Sequence, residues 1–178
     1  VLPYCDSPAN RDAVSNHLYM ELLGQATQYA WFFTPYLMLG DTLLDAFVRA
    51  AQRGVDVRIF VPGIPDKKLA YRMTQSFFRP LLEAGVRIYT YTPGFLHAKA
   101  CLLDDEIGML GTVNLDYRSL FLHFECNALF YRASLLRDLK QDFEETLPLC
   151  KGITQQDLRK ALHSRMVDSI LRIISPLC

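Results

Sequence analysis

The stretch His97-Ala98-Lys99-Ala100-Cys101-Leu102-Leu103-Asp104, followed at short range by Gly111-Thr112-Val113-Asn114, gathers an imidazole, a fixed cation, a carboxylate and two hydrogen-bonding side chains. Residues two apart on a strand share a face, so an extended backbone here points His97 and Lys99 the same way. An imidazole beside an ammonium suits a phosphodiester. The cation binds the non-bridging oxygens and stabilises charge on them, while the imidazole attacks phosphorus or protonates a leaving alkoxide. Asp104 has the opposite parity from His97, which gives it a structural or supporting place. Gly111 permits close backbone approach, and the Thr112 hydroxyl and Asn114 amide can donate to phosphate oxygens. Taken singly, each feature has a plainer explanation: a packed histidine, a solvated lysine, a turn. The joint pattern, His-x-Lys-x4-Asp and then Gly-Thr-x-Asn, has far fewer.

Strands and helices must bring these groups together. Residues 29–34 (YAWFFT) form a continuous apolar run, as expected of a strand buried on both faces, and Pro35 ends it. Residues 55–61 and 86–92 read as further strands, ended by Pro62-Gly63 and Pro93-Gly94. An amphipathic stretch covers 12–26. A helix is expected over 41–53, with Asp41 as its cap, Leu43, Leu44, Phe47, Val48 and Ala51 as its buried stripe, and Gly54 behind it. Another is expected over 68–84. This alternation is the grammar of a parallel sheet with right-handed crossovers. The rhythm then changes: 96–103, 107–112 and 124–131 read as strands, the first two closely connected, so part of the sheet is antiparallel. Helices over 134–147 and 154–174 finish the chain. The expected fold class is α/β, a mixed central β-sheet flanked by helices (an α/β/α sandwich), with 1–178 as a single domain. Ligands bind beyond the carboxyl ends of strands in such sheets, so the breaks at Thr34-Pro35-Tyr36, Val61-Pro62-Gly63 and Thr92-Pro93-Gly94-Phe95 could rim one cleft.

Composition narrows the function classes. Hydrophobic residues make up 51% of the 178 and aromatic residues 12%, as in a packed globular protein. Nineteen basic residues balance nineteen acidic ones, so the basic excess of a nucleic-acid binder is missing and no nucleic-acid partner is expected. No apolar run approaches the roughly 18–20 residues that span a bilayer, and Val1-Leu2-Pro3-Tyr4 does not open a signal peptide. The opening reads like mid-strand and lacks an initiator Met, which suggests a piece of a longer protein. Cys5, Cys101, Cys126, Cys150 and Cys178 are odd in number, scattered and without a C-x-x-C pair. That argues against a disulfide framework or a zinc site and for reduced cytosolic thiols.

The His-x-Lys-x4-Asp signature resembles that of the phospholipase D superfamily. The longer phrases TPY (34–36), RGVDVRIFVPG (53–63), LLEAGVRIYTYTPGFLHAK (81–99) and GTVNLDYRSLFLHFE (111–125) resemble the C-terminal half of bacterial-type cardiolipin synthases, as does the closing ILRIISPLC. The resemblance implies a phospholipase D-like half and a two-step phosphatidyl transfer without metal or other cofactor. One motif histidine attacks the phosphate of phosphatidylglycerol, expels glycerol and carries the phosphatidyl group. A second acts as acid and then as base for the incoming phosphatidylglycerol, giving cardiolipin. By motif position, His97, Lys99, Asp104 and Glu125 are carried over as catalytic, and Lys99, Thr112 and Asn114 as phosphate-binding. Thr112 stands where many relatives have Ser. Glu125, in HFE, takes the place of a carboxylate accepting from the imidazole's other nitrogen.

The superfamily's site uses two such motifs, and this chain holds one: His17, His123 and His163 are followed at the second position by Tyr19, Glu125 and Arg165. The expected partners are phosphatidylglycerol and other anionic phospholipid, and either an N-terminal half or a second copy that completes the site, in a homodimer for instance. The resemblance places the parent protein in the cell membrane with its catalytic domain on the cytoplasmic face. Which motif histidine is the nucleophile stays open. Tyr36, Phe95 and Tyr117 line a head-group pocket or pack in the core. Lys67-Lys68 touches an anionic membrane or lies in a solvated turn, and Arg118 binds phosphate or holds Asp116. Two other readings differ in class: a homodimeric phosphodiesterase or nuclease, and a non-catalytic module that binds anionic lipid.

Overall fold

The five residues Tyr29–Phe33 are all buried, because helices cover both faces of the sheet at its centre. The computed structural model describes residues 1–9, 12–160 and 165–175. In chain order its elements are β1 (Leu2–Asp6), α1 (Val14–Gln25), β2 (Tyr29–Phe33), β3 (Leu37–Met38), α2 (Asp41–Gln52), β4 (Asp56–Pro62), α3 (Lys68–Ser76), α4 (Phe78–Glu83), β5 (Arg87–Tyr91) and β6 (Ala100–Leu103). There follow β7 (Ile107–Gly111), β8 (Leu115–Asp116), α5 (Tyr117–Phe121), β9 (Glu125–Tyr131), α6 (Leu135–Thr146), β10 (Cys150–Gly152), α7 (Gln155–Lys160) and α8 (Arg165–Ile174).

Eight strands form one sheet in the order β1-β9-β7-β6-β2-β4-β5-β10. Strands β2, β4 and β5 are parallel neighbours, and β6, β7, β9 and β1 continue the sheet antiparallel. Alternate side chains of each strand feed two cores. Phe32, Ile59 and Ile88 pack with Leu23, Leu43, Phe47 and Leu81 of the helices on one face. Trp31, Phe33 and Phe60 pack with Leu136, Leu139 and Phe143 of α6 on the other. The Phe143 ring stacks on Phe33 with centroids 3.9 Å apart. The molecule is therefore the mixed-sheet α/β/α sandwich that the sequence implied.

Several expectations shift. The helix over 68–84 is two, α3 and α4, meeting at Phe77. Pro80 has no N–H to give the Ser76 carbonyl, and Arg172 Nη1 of α8 donates to that carbonyl instead, at 3.3 Å. Asp41 opens α2 as its first helical residue, with Gly40 at the cap. Gly54 closes α2 with φ +93°, a conformation that favours glycine. The strand over 96–103 shortens to Ala100–Leu103, because its partner β2 ends opposite Ala100, at Phe33. The helix over 154–174 is described as α7 and α8, and residues 161–164, with His163, lie outside the described residues. Cys178 lies outside them as well. Among the described residues, no helix is long and apolar enough to cross a membrane.

Candidate active site

Register alone brings most of the motif to one end of the sheet. The carboxyl end of β2 faces the start of β6, Phe33 against Ala100, so the loop carrying His97 and Lys99 emerges beside the carboxyl ends of β2, β4 and β5. Strand β7 runs back to the same end, Leu110 against Ala100, and delivers Thr112 and Asn114. Strand β9 starts there, Asn127 against Gly111, and begins with Glu125. Strand β6 runs away from that end, so Asp104 lies at the opposite one.

His97 is exposed and Lys99 half-buried. The His97 ring lies beside Phe95, centroids 5.6 Å apart. Both motif residues precede the ladder, so strand pleat does not align them; the Lys99 ammonium turns back and donates to the His97 carbonyl at 2.7 Å. Burial pulls the Lys99 pKa below the ordinary lysine value, against the pull of Glu125 and then Asp116. A partly desolvated cation between two carboxylates is suited to accept a phosphate, whose charge replaces lost solvation.

Gly111 is required by close approach: a Cβ would overlap the Asn127 side-chain oxygen and the Cys126 carbonyl. The neighbour that needs the space is thus strand β9, with Asn127 buried beneath the motif and donating to the Tyr4 hydroxyl at 3.0 Å. The Thr112 hydroxyl donates to the Cys126 carbonyl at 3.3 Å and accepts from the Cys126 N–H at 2.9 Å. It fastens β7 to β9, and donation to a phosphate oxygen would require it to turn from the Cys126 carbonyl. Asn114 donates to the Ser119 hydroxyl at 3.0 Å, while its carbonyl oxygen is buried without a partner. Its backbone is set by the Thr34 hydroxyl, which accepts the Leu115 N–H at 3.1 Å, and by the short parallel ladder of β3 and β8.

Glu125 is 8% exposed, and the imidazole beside it is that of His123, with Nδ1 3.7 Å from Oε1. The expected pairing of Glu125 with His97 is not the arrangement seen. Arg118 Nε donates to His123 Nε2 at 3.3 Å, so Arg118 addresses this histidine and not Asp116. Asp116 caps α5 by accepting the Ser119 N–H at 2.8 Å. Burial raises its pKa above the ordinary carboxylate value, against the Ser119 N–H, the Asn114 amide and His123. Next to this array opens a cleft of about 370 Å³ lined by Tyr36, Lys67, Leu69, Asn114, Arg118 and His123. The Tyr36 hydroxyl donates to Asp66 across its rim, and burial and then Asp66 push the Tyr36 pKa up to about 12. Tyr117 belongs elsewhere, packed on Phe121 with centroids 4.6 Å apart. Leu69, Leu122 and Phe124 are exposed, the last two flanking His123 in sequence.

Asp104 is not brought to the site. Its carboxylate accepts from the N–H groups of Thr27 (2.7 Å), Gln28 (2.9 Å) and Tyr29 (2.7 Å) and from the Thr27 hydroxyl (2.9 Å). It braces the entry into β2. His123 escaped the sequence reading as a site residue because it lacks a lysine two positions on; its place between Arg118 and Glu125 in the phrase RSLFLHFE was the available signal.

Residues 19–147 match the family model described as "Cardiolipin synthase, PLD-like domain". A relative named cardiolipin synthase 2, from Bacillus cereus, is 40% identical over 171 residues, which are 96% of this chain and 33% of that protein. The chain therefore spans about a third of the length of that curated relative. Among solved structures, the phospholipase D family member Nuc of Salmonella typhimurium superposes with a TM-score of 0.70 at 16% identity, over 86% of this chain and 100% of that one. Phosphatidylserine synthase of Haemophilus influenzae gives 0.69 at 19% identity, over 98% of this chain and 45% of that one.

Proposed function

The chain belongs to the cardiolipin synthase family with a phospholipase D-like domain, and from that premise we propose that it is one catalytic half of a phosphatidyltransferase that makes cardiolipin from two phosphatidylglycerol molecules. One observation supports the reading: an exposed His97 and a half-buried Lys99 stand at the same end of the sheet as Asn114 and Glu125, where a cleft is lined by Asn114, Arg118 and His123.

In this mechanism a ring nitrogen of one motif histidine forms a bond to phosphorus as the P–O bond to the glycerol head group breaks. The departing glycerol oxygen takes a proton from the other motif histidine. That histidine, now neutral, accepts the proton of a hydroxyl on the second phosphatidylglycerol as its oxygen displaces the first histidine from phosphorus. Lys99 and the Asn114 amide hold the non-bridging oxygens throughout. Glu125 acts on the charge of Lys99 and on His123 and is a positioning residue. Exposed Leu69, Leu122 and Phe124 near the cleft suit acyl chains at an anionic membrane surface. Since the chain holds one motif, the second histidine comes from an N-terminal half of the same protein or from a second copy. The balanced net charge weighs against a nuclease, whose DNA cleavage would fall steeply with salt.

The test is glycerol release from phosphatidylglycerol in mixed micelles over a wide range of protein concentrations. Release that rises faster than linearly and vanishes in His97→Ala means that two copies build the site. If the chain alone is silent, the assay moves to the protein carrying both motifs, where His97→Ala must abolish cardiolipin formation. Undiminished turnover in that variant would remove the chain's catalytic role.

A further inference from the structure

Cys5 and Cys126 are 121 positions apart in sequence, yet they are direct partners across the antiparallel ladder of β1 and β9. In an antiparallel strand the N–H and C=O of one residue point to the same side. Those of Cys126 both point to Thr112: its N–H donates to the Thr112 hydroxyl and its C=O accepts the Thr112 N–H, each at 2.9 Å. Toward β1, therefore, Cys126 occupies a non-hydrogen-bonded site, where facing Cα atoms come to about 4.5 Å and side chains are closest. A disulfide needs Cα atoms about 4.4–6.8 Å apart. Paired residues share a face of the sheet, and both thiols are free and exposed. The other described cysteines have no such partner: Cys101 is buried and Cys150 sits on β10 at the far edge.

We propose that Cys5 and Cys126 form an oxidisable dithiol that closes to an intramolecular disulfide when the protein meets hydrogen peroxide. The Cys5 sulfur attacks the peroxide O–O bond, releasing water and leaving a sulfenic acid on Cys5. The Cys126 sulfur then attacks the Cys5 sulfur; the S–O bond breaks, and the departing hydroxide takes the Cys126 proton as a second water. Two thiols and one peroxide thus give one disulfide and two waters. The Cys126 thiol is held above its ordinary pKa, foremost by its contact with the Cys5 sulfur, which suits it to the second, resolving step. An exposed cross-strand bridge is readily reduced, so a dithiol reductant reverses the change.

The bridge ties the edge strand β1 to the strand that begins with Glu125. This chain, reduced and then treated with hydrogen peroxide, is digested with trypsin without reduction. Cleavage after Arg11, Arg118 and Arg132 leaves Cys5 in fragment 1–11 and Cys126 in fragment 119–132. The expected result, in protein that runs as a monomer, is a linked pair of these fragments. It weighs about 2 Da less than the two reduced fragments together, separates with dithiothreitol, and is missing from Cys5→Ser and Cys126→Ser. A link found only in covalent dimers, sulfinic acid at either position without a link, or unmodified thiols would each overturn the proposal. The wild-type map decides it even if a serine variant fails to fold.

Discussion

The two ends of strand β6 carry the two ends of one sequence motif, and their chemistry is opposite. At the far end, the Asp104 carboxylate is bound by three backbone N–H groups and a hydroxyl. At the near end, His97 lies exposed against Phe95, and Lys99 donates only to a carbonyl of its own loop among the bonds seen. The saturated end is scaffold, with its hydrogen-bonding capacity spent within the fold. The near end has capacity left for a ligand. The motif thus divides into an end left open, on which the proposed chemistry rests, and an end that braces the fold, separated by the length of the strand.

The largest effect is expected of His97→Ala in a protein with both motifs. Phosphatidyl transfer should fall by about 10⁴-fold or more, with the urea midpoint unmoved; a loss of stability would make His97 part of the scaffold after all. Next is Lys99→Ala, expected to cost about 10²- to 10³-fold in turnover through lost charge stabilisation. Lys99→Arg sharpens the point. Burial holds the lysine below its ordinary pKa, so it loses its proton earlier as pH rises, and arginine should carry the alkaline limb of activity to higher pH.

Gly111→Ala acts on the join between β7 and β9. The added methyl has no room beside Asn127, and an equilibrium urea titration should show a loss of about 2–3 kcal/mol. The smallest effect belongs to Asp104→Ala, about 2 kcal/mol from N–H groups left without a charged acceptor, with turnover per folded molecule unchanged. Burial pulls the Asp104 pKa up, but the N–H groups of Tyr29, Thr27 and Gln28 outweigh it and leave the value below that of a free aspartate. Its contribution is therefore complete above the unfolded carboxyl pKa of about 3.9 and disappears as pH falls through the lower folded value. The alanine variant should lack that part of the acid limb in a pH series of melting curves.

Much of this was legible in the residues. The buried strands announced themselves as apolar runs closed by proline or Pro-Gly; the supporting place of Asp104 comes from the direction of β6 and not from the parity argued for a longer strand. What stayed hidden was set by tertiary pairing. Strands β3 and β8 have two residues each and α5 five, too few for any periodicity to register. The Thr112 hydroxyl looked free for phosphate because its acceptor, the Cys126 carbonyl, arrives from a strand beyond α5. Glu125 seemed destined for His97, but the turn after α5 brings His123 to it instead.

The pairing of β1 with β9 also bears on how the molecule acquires its shape. Among the described residues, the sheet neighbour of β1 is β9, on the order of 120 residues later, and such distant closure is slow to form. As synthesis proceeds, this pairing waits until β9 has emerged. The ladder that holds the backbone of Glu125 against Asp6 is therefore among the later contacts to form.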